Sequence, residues 1–428
     1  MECYVLIGAG SAVFTRGLLA DLINAGEPCE VRLVDPNPVA LAVAHGLARK
    51  MIAHSQAAIT VRASTDRREL LTGATVVICT VGVGGRRAWE QDVFIPRKYG
   101  IYVPVGDTIG PGGSSRAVRM IPAMLAIAND VADLAPQALF FNYSNPMAPI
   151  CHAIHHHAGI NVIGLCHGVL HVTHYLAAQL GVAWQELDVT YAGYNHLTWM
   201  TSVRHAHRDL DAELKALAVR HIADQDDNPF SWHLYQLTGA FPAVLDRHVC
   251  EFFPQFFRTG AYYRDQRLGV QAFSFEETIR SGDAEFVAMQ HESLPSTPLN
   301  ADIFARESGE HEQVVDIVKA IRTAQPTLFA ANLPNQGQVA QLPRGAIVEA
   351  PAIAKSGQLV PADHVELPVA LAGMLASRYA WVETIVAAAV HADQAAFHHA
   401  LIIDGYADSL SQVEQMGNEL WQHTRQFC

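Results

Sequence analysis

A cysteine and a histidine separated by thirty positions are the residues of this chain best suited to binding a transition metal. Cys166 lies in GLCHG, directly after a predicted strand, and His196 lies in YNHL. Ligands of open α/β sheets bind at the carboxyl ends of strands, and a thiolate with an imidazole favours a transition metal over magnesium or calcium. Because two protein ligands leave a coordination sphere open, we expect substrate or water to complete it, as in a catalytic site. A packed cysteine and a hydrogen-bonded core histidine are the structural alternative.

Three further segments carry candidates for proton transfer and substrate binding. Asp107 lies just before a glycine-rich turn in GDTIGPGG, and Asn145 lies after a strand in NYSNP, where its amide can hydrogen-bond a sugar hydroxyl. Caps and turns are the structural alternative for both side chains. The third segment mixes carboxylates, bases and aromatic rings, a composition typical of carbohydrate binding or of a salt-bridged loop. Its candidates are Asp246, His248, Arg258, Tyr262 and Tyr263.

A glycine-rich turn near the N-terminus has the spacing of a dinucleotide site. In GAGSAVF, Gly8 permits a tight turn and Gly10 lets backbone amides approach a pyrophosphate at a helix N-terminus. Val13 stands where the usual motif has its third glycine. Asp35 ends the next strand, where its carboxylate can bind the ribose hydroxyls, and this favours NAD over NADP. The other candidate contacts with NAD are Ser11, Phe14, Thr80 and Gly82.

The elements that position these residues alternate between strands and helices over the first 165 residues. The apolar runs predict strands, and the longer segments with apolar residues at helical spacing predict helices. This alternation predicts an α/β protein with a Rossmann-like, doubly wound parallel sheet. The predicted strands are residues 4–7, 31–34, 59–62, 76–81, 138–142 and 161–165, and the helices are 11–25, 38–54 and 114–134.

The pattern changes near residue 166, after which helical segments such as 307–321 and 367–390 dominate and short strands are interspersed. We therefore predict two domains. Residues 1–165 form a Rossmann-like NAD-binding domain. Residues 166–428 form a mixed α+β domain that binds metal and substrate and carries oligomerisation helices.

Composition and charge exclude several classes of protein. Of 428 residues, 50% are hydrophobic and 17% are charged, which suits a large core and excludes wholesale disorder. A net charge of −13 disfavours binding to nucleic acid or to an anionic membrane surface. The seven cysteines form no disulfide framework, and the N-terminus has no signal-peptide pattern, so we expect a reduced, cytoplasmic protein. The longest apolar stretch, residues 368–390, contains Arg378 and Glu383 and predicts a buried helix rather than a membrane span.

The ordered set of motifs GAGS, GDTIGPGG, NYSNP, GLCHG and YNHL resembles glycoside hydrolase family 4, whose members need NAD and a divalent metal, usually manganese. The likeness covers most of the chain. It implies that Cys166 and His196 bind the metal, that Asn145 contacts the sugar, and that the carboxylate of Asp107 is catalytic. A tyrosine or aspartate of the later loop serves as the base in different branches, and the candidates here are Asp246, Tyr262 and Tyr263.

The residue after the metal-binding cysteine varies within that family. The pair Cys166–His167 resembles the branch that acts on unphosphorylated α-glucosides, α-galactosides and α-uronides. Arg258 or His248 can pair with a substrate carboxylate, which favours an α-uronide. The resemblance implies hydrolysis through transient oxidation at carbon 3 of the sugar, elimination and addition of water. His167 is then the candidate for protonating the leaving oxygen.

Two other functions fit parts of the same pattern. An NAD-dependent 2-hydroxyacid dehydrogenase shares the nucleotide-binding half, and a non-catalytic protein that binds NAD or sugar needs no metal chemistry. For the glycosidase, the expected partners are a small α-glycoside and further copies of the chain in a homodimer or homotetramer, with neither nucleic acid nor membrane.

Overall fold

The structure, a computed structural model, describes residues 1–305, 313–362 and 364–427. Within these ranges thirteen strands form one sheet. The strands are β1 (Glu2–Ile7), β2 (Cys29–Val34), β3 (Ile59–Ser64), β4 (Val76–Cys79), β5 (Leu139–Asn142), β6 (Ile163–Gly164), β7 (Leu187–Tyr194), β8 (Leu197–His205), β9 (Arg208–Asp209), β10 (Phe241–Pro242), β11 (Leu328–Pro334), β12 (Ile347–Lys355) and β13 (Gln358–Pro361).

The helices cover both faces of the sheet. They are α1 (Ala12–Ala25), α2 (Pro38–Ser55), α3 (Arg68–Leu71), α4 (Gly85–Lys98), α5 (Gly110–Leu134), α6 (Met147–Ala153), α7 (Gly168–Leu180), α8 (Asp211–Asp224), α9 (Pro229–Thr238), α10 (Asp246–Val249), α11 (Phe275–Ser293), α12 (Val314–Thr323), α13 (Val369–His391), α14 (Gln394–Asp404) and α15 (Leu410–Thr424).

The first six strands are parallel and lie in the order β3-β2-β1-β4-β5-β6, which is the strand order of a dinucleotide-binding sheet. Side chains of successive residues in β1 and β4 enter opposite cores. Val5 and Val77 pack into one core, while Leu6 and Ile78 pack into the other. Burial on both faces explains why these strands are continuous apolar runs. The α/β, Rossmann-like prediction is confirmed.

The sheet does not stop at the predicted domain boundary. β11 pairs antiparallel with β6, and β12, β7, β8 and β10 follow in that order. The change from parallel to antiparallel pairing therefore falls at β6, close to residue 165, but both halves share one sheet. The division into domains 1–165 and 166–428 stays a prediction.

Two helices differ from their predicted extents. α5 begins at Gly110, four residues before the predicted start, because the GPGG segment itself forms its first turn. The helix expected at residues 307–321 is described from Val314 onwards, and residues 307–312 lie outside the described ranges.

The apolar helix near the C-terminus, α13, is present, but the prediction that it is buried is wrong. One face packs in the core through residues such as Leu375 and Trp381, while Val369 is 86% exposed and Met374 is 37% exposed. Among the described residues it is the helix whose length and composition would suit a membrane span. Of the residues in its most apolar 18-residue stretch, 33% are buried. It packs against α5 and α14.

A buried ion pair joins α4 to α5 below the nucleotide-binding edge. Arg119 Nη1 donates to Asp92 Oδ1 at 2.7 Å, and Nη2 contacts the other oxygen, with the two residues 1% and 0% exposed. Removing one member of such a pair leaves an uncompensated buried charge.

We predict that Asp92→Ala lowers the free energy of unfolding by about 3–5 kcal/mol, because Arg119 stays buried without its partner. Urea unfolding measures this change. The matched control is Asp408→Ala at an exposed ion pair with Arg258, which should alter stability little. Equal effects of the two substitutions would contradict the prediction.

Candidate active site

The glycine-rich turn after β1 brings the predicted nucleotide-binding residues together. Gly8 has φ +91°, and a Cβ there would lie 2.9 Å from the carbonyl of Thr80. The Gly10 N–H donates to Asp35 Oδ2 at 2.8 Å, and a Cβ on Gly10 would meet that carboxylate at 2.7 Å. Ser11 immediately precedes α1. This cradle suits NAD, because it combines backbone that only glycine permits with a helix N-terminus and a carboxylate at the end of β2.

Aromatic side chains connect this turn to the residues that follow β5 and β6. The Phe14 ring lies 5.5 Å from the Tyr143 ring, and the Tyr143 ring lies 6.3 Å from the imidazole of His167, measured between centroids. Gly82 lies in the loop after β4, near the guanidinium of Arg116. The nucleotide-binding edge and the segment around Cys166 are thus contiguous.

Cys166 and His196 meet although they come from different strands. Cys166 follows β6, and His196, with φ +64°, lies in the two-residue turn between β7 and β8. The Cys166 Sγ atom is 3.4 Å from His196 Nε2. Bond lengths typical of thiolate and imidazole ligands place two such atoms about 3.1–3.6 Å apart on one tetrahedral or octahedral metal. The separation therefore fits a shared metal ion.

The hydrogen bonds of His196 fix which ring nitrogen carries the proton. Thr108 Oγ1 lies 2.8 Å from His196 Nδ1 and donates its own proton to Asp107 Oδ1 at 2.8 Å. Because that hydroxyl proton is engaged, the hydroxyl oxygen accepts a hydrogen bond from the protonated Nδ1 of His196. His196 Nε2 then presents its lone pair to Cys166, as a metal ligand requires.

The thiol of Cys166 is inert without a cation beside it. Burial, with the charge of Glu349, raises the pKa of this thiol to about 11, while the Gly168 N–H, 3.4 Å from Sγ at the start of α7, acts in the opposite direction. A metal ion binds the thiolate form and displaces the proton. The described residues hold no group of three or more His, Cys, Asp or Glu side chains suited to a metal. The donor set is thus an open, two-ligand one.

Asp107 and Asn145 lie next to this pair. Asn145 Nδ2 donates to Asp107 Oδ2 at 3.3 Å, and Arg116 Nε donates to the Asn145 carbonyl at 3.0 Å. Burial acts to raise the pKa of Asp107, but the positive charge of the Arg116 guanidinium and the hydrogen bond from Thr108 outweigh it and hold that pKa below its ordinary value. Asp107 is therefore ionised at neutral pH.

The turn that carries Asp107 is held from both sides. Glu251 Oε1 accepts hydrogen bonds from the N–H groups of Val105 and Gly106 at 2.6 and 2.8 Å. On the other side the first turn of α5 lies so close that a Cβ on Gly112 would come within 2.6 Å of the Gly106 carbonyl. Burial raises the pKa of Glu251 to about 8.

His248 also reaches the cluster. Its ring centroid lies 4.6 Å from that of His196, and burial lowers the pKa of His248 to about 3. It is neutral at pH 7 and able to hydrogen-bond a sugar.

The other candidates of the later loop make their hydrogen bonds elsewhere. Asp246 accepts from the N–H groups of Phe230 and Ser231 and from the Ser231 and Tyr262 hydroxyls, which holds the start of α9. Burial raises the pKa of Tyr262 and of Tyr263, which disfavours their anionic forms.

Tyr263 and Arg258 have partners outside the Cys166–His196 pair. The Tyr263 hydroxyl lies 3.3 Å from His233 Nδ1. Arg258 Nη1 donates to Asp408 at 2.6 Å on the surface. The structure thus brings Asp107, Asn145, His167 and His248 to the Cys–His pair, and these contacts do not include Asp246, Tyr262, Tyr263 or Arg258.

Sequence reasoning missed four residues of this neighbourhood. Thr108 lies within the GDTIGPGG segment that was singled out for Asp107, Arg116 lies three residues after that segment, and Glu251 lies close to Asp246 and His248 in the later loop. Glu349 lies in an ordinary strand, β12, and no motif signals it.

Comparison with known proteins identifies the family. Residues 4–182 match the model described as "Family 4 glycosyl hydrolase" and residues 191–406 match "Family 4 glycosyl hydrolase C-terminal domain". The chain belongs to glycoside hydrolase family 4.

Relatives agree with this assignment over most of the chain. An α-glucosidase of Erwinia rhapontici is 29% identical, with 96% of this chain and 95% of the relative aligned. An α-galacturonidase of Bacillus subtilis is 28% identical over 83% of this chain and 82% of its own length. The crystal structure of a Bacillus subtilis protein assigned as a glucosidase is 27% identical, superposes with a TM-score of 0.87, and covers 98% of this chain and 99% of that one.

Family membership confirms the expected class of enzyme, a glycoside hydrolase that uses NAD and a divalent metal. The residues present fit both groups, since the glycine cradle suits NAD and the Cys166–His196 pair suits a metal. The assignment does not support the two alternative functions, a 2-hydroxyacid dehydrogenase and a non-catalytic binding protein.

Glu251 generates a prediction about pH. Its pKa is raised in the folded protein, so from about pH 4.5 to about pH 8 the unfolded chain binds fewer protons than the folded one, and stability falls as pH rises. The side chain of the Glu251→Gln variant does not ionise. The free energy of unfolding of this variant, relative to that of the wild type, should therefore rise across that pH range by at most about 1.4 kcal/mol per pH unit. Denaturant unfolding of both proteins between pH 5 and 9 measures this, and parallel stability curves would contradict it.

Proposed function

We propose that this enzyme hydrolyses an unphosphorylated α-glycoside and that α-uronides are its preferred class. The observation that carries the proposal is the Cys166–His196 pair, with His167 next to the cysteine, beside an ionised Asp107 and a neutral His248. Relatives named α-glucosidase and α-galacturonidase support the α configuration and the absence of a phosphate.

The uronide preference rests on the imidazoles around the cluster. His248 lies within the electrostatic influence of His171 as well as His196, and His167 opens α7 beside Cys166. A substrate carboxylate among several imidazoles gains charge-assisted hydrogen bonds. Arg258 offers little support, because it is half exposed and paired with Asp408.

Substrate positioning is assigned to the polar groups that surround the pair. Asn145 donates to Asp107 and faces the same cluster, so its amide is the group we assign to a sugar hydroxyl. When bound, NAD supplies a hydride acceptor for carbon 3 of the sugar, and the metal supplies a Lewis acid for the neighbouring hydroxyl oxygens.

Proton transfer is assigned to two residues of the chain. Asp107 is ionised and lies one hydroxyl away from His196, so among the candidate bases it is the one that we assign to accepting a substrate proton. His167 immediately precedes α7 and follows Cys166, and it is assigned to protonating the leaving oxygen. Asp246 is assigned to holding α9, since its oxygens already accept four hydrogen bonds.

The test of function is a panel of nitrophenyl α-glucoside, α-galactoside, α-glucuronide and α-galacturonide with catalytic NAD, manganese and a thiol reductant. We predict nitrophenol release without steady accumulation of NADH, fastest with a uronide, and uptake of solvent deuterium at carbon 2. Steady NADH production, or no release from any of the four, would refute the proposal.

A pair of cysteine variants controls this panel. Cys166→Ser should lower the rate by orders of magnitude with the fold intact, since it removes the thiolate donor. Cys151→Ser, at a buried cysteine on α6, should retain most activity. Equal activity of the two variants would count against a role for Cys166.

The assembly and location are part of the proposal as well. The partly exposed apolar face of α13 supports a homodimer or homotetramer, since contact with another copy of the chain would remove apolar surface from water.

The six described cysteines are all free, and an enzyme that depends on a free thiol suits the reducing cytoplasm.

We predict that sedimentation velocity gives a dimer or tetramer and that Met374→Glu on α13 shifts it towards the monomer, because a charge would be buried in the interface. Val219→Glu, at an exposed position on α8, is the control and should leave the assembly unchanged. A monomeric wild type would refute this part of the proposal.

A further inference from the structure

Glu349 is a buried carboxylate in the middle of the sheet, in line with both members of the Cys–His pair. Register partners cross the sheet in one row, from Gly164 through Asn332, Glu349 and Gly193 to Thr198. The first residue of the row is two positions before Cys166, and the last is two positions after His196. The row therefore spans the strands from which both proposed ligands emerge.

The carboxylate is held by neutral groups. Thr198 Oγ1 donates to Glu349 Oε2 at 2.6 Å, and Asn332 Nδ2 donates to Oε1 at 3.1 Å. The three side chains are 1%, 2% and 0% exposed, in the order Thr198, Glu349, Asn332. Among the ion pairs of residues 1–305, 313–362 and 364–427, none includes Glu349.

A carboxylate in this setting is costly for the fold alone. Two neutral hydrogen bonds do not repay the loss of hydration of a negative charge. The residues around it in β12 are apolar, and a well-packed apolar side chain would satisfy the sheet at lower cost. The charge therefore serves something other than the packing of β12.

The hydrogen bonds of Glu349 extend to the segment that carries Cys166. Asn332 Nδ2, which donates to Glu349, also donates to the carbonyl of Gly164 at 3.3 Å, two positions before Cys166. Burial raises the pKa of Glu349, so a positive charge nearby favours its ionised form. A divalent cation at the Cys166–His196 pair would be such a charge.

We propose that Glu349 is a positioning residue for the metal site. Its negative charge strengthens the attraction for a divalent cation at Cys166 and His196, and its hydrogen bond with Thr198 fixes the hairpin that presents His196. The inference rests on the proposed function only through the assignment of the metal to these two residues. Outer-sphere partners of this kind change metal affinity by about 10–100-fold.

The test measures binding of Mn²⁺ to the substrate-free protein by electron paramagnetic resonance of the unbound ion. Glu349→Gln keeps the shape and removes the charge, and we expect Mn²⁺ affinity to fall at least tenfold. NAD affinity, measured by protein fluorescence, should remain that of the wild type. Neither readout depends on turnover.

Two further variants make the result specific. Asp404→Asn changes a matched buried carboxylate whose partners, Ser114 and Arg378, lie on α5 and α13, and it should leave Mn²⁺ affinity unchanged. Cys166→Ser tests the metal site itself and should weaken binding strongly.

The outcomes separate this inference from the proposed function. Wild-type Mn²⁺ affinity in Glu349→Gln, together with lost affinity in Cys166→Ser, overturns the role of Glu349 alone. Wild-type affinity in Cys166→Ser overturns the metal site and with it the proposed function. If Glu349→Gln does not fold, Glu349→Met removes the charge with an apolar side chain of similar length that needs no hydrogen bonds, and wild-type Mn²⁺ affinity in that variant overturns the proposal.

Discussion

The close approach of one sulfur atom and one imidazole nitrogen is the constraint on which the rest of the site depends. Cys166 and His196 come from β6 and from the turn between β7 and β8, and two strands formed more than a hundred residues later, β11 and β12, lie between them in the sheet. Their atoms nonetheless stand 3.4 Å apart. The sheet thus brings the pair together only when the C-terminal half has folded onto the N-terminal half, which makes the site a property of the whole chain.

Hydrogen bonds then give this pair its chemical character. The chain from Asp107 through Thr108 to His196 decides where the imidazole lone pair points, and Glu251 with the first turn of α5 holds the segment that carries Asp107. Thr108, His196 and Glu251 are buried and Asp107 is partly buried, so a charge in this cluster is felt more strongly than it would be in water. The ionised Asp107 lies beside a cysteine that becomes a thiolate when it binds a metal, so this position suits a divalent cation. The nearby guanidinium of Arg116 keeps Asp107 ionised.

Much of the fold was predictable from the sequence, and the reasons are local. Parallel strands buried on both faces must be apolar runs, so β1 and β4 could be found from composition alone. The turn at Gly8 and Gly10 could be found because only glycine tolerates the approach of Thr80 and Asp35. Cys166 and His196 were identified by a resemblance of ordered motifs, since a lone cysteine and a lone histidine carry little information by themselves.

What sequence reasoning missed depends on partners that are distant along the chain. Glu349 looks like any residue of a strand until Asn332 and Thr198 are seen on either side of it. Asp246 looked like a candidate base, yet its hydrogen bonds go to the start of α9. The apolar composition of α13 predicted its helix but not its exposed face, because burial and an interface between copies require the same side chains.

X-ray absorption spectroscopy of the manganese-loaded enzyme tests the central claim most directly, because it reports the atoms bound to the metal. The account predicts one sulfur and one imidazole nitrogen among the scatterers, with the remaining positions filled by oxygen, and predicts that the sulfur disappears in Cys166→Ser. A spectrum of the wild-type enzyme with oxygen and nitrogen scatterers alone would contradict it.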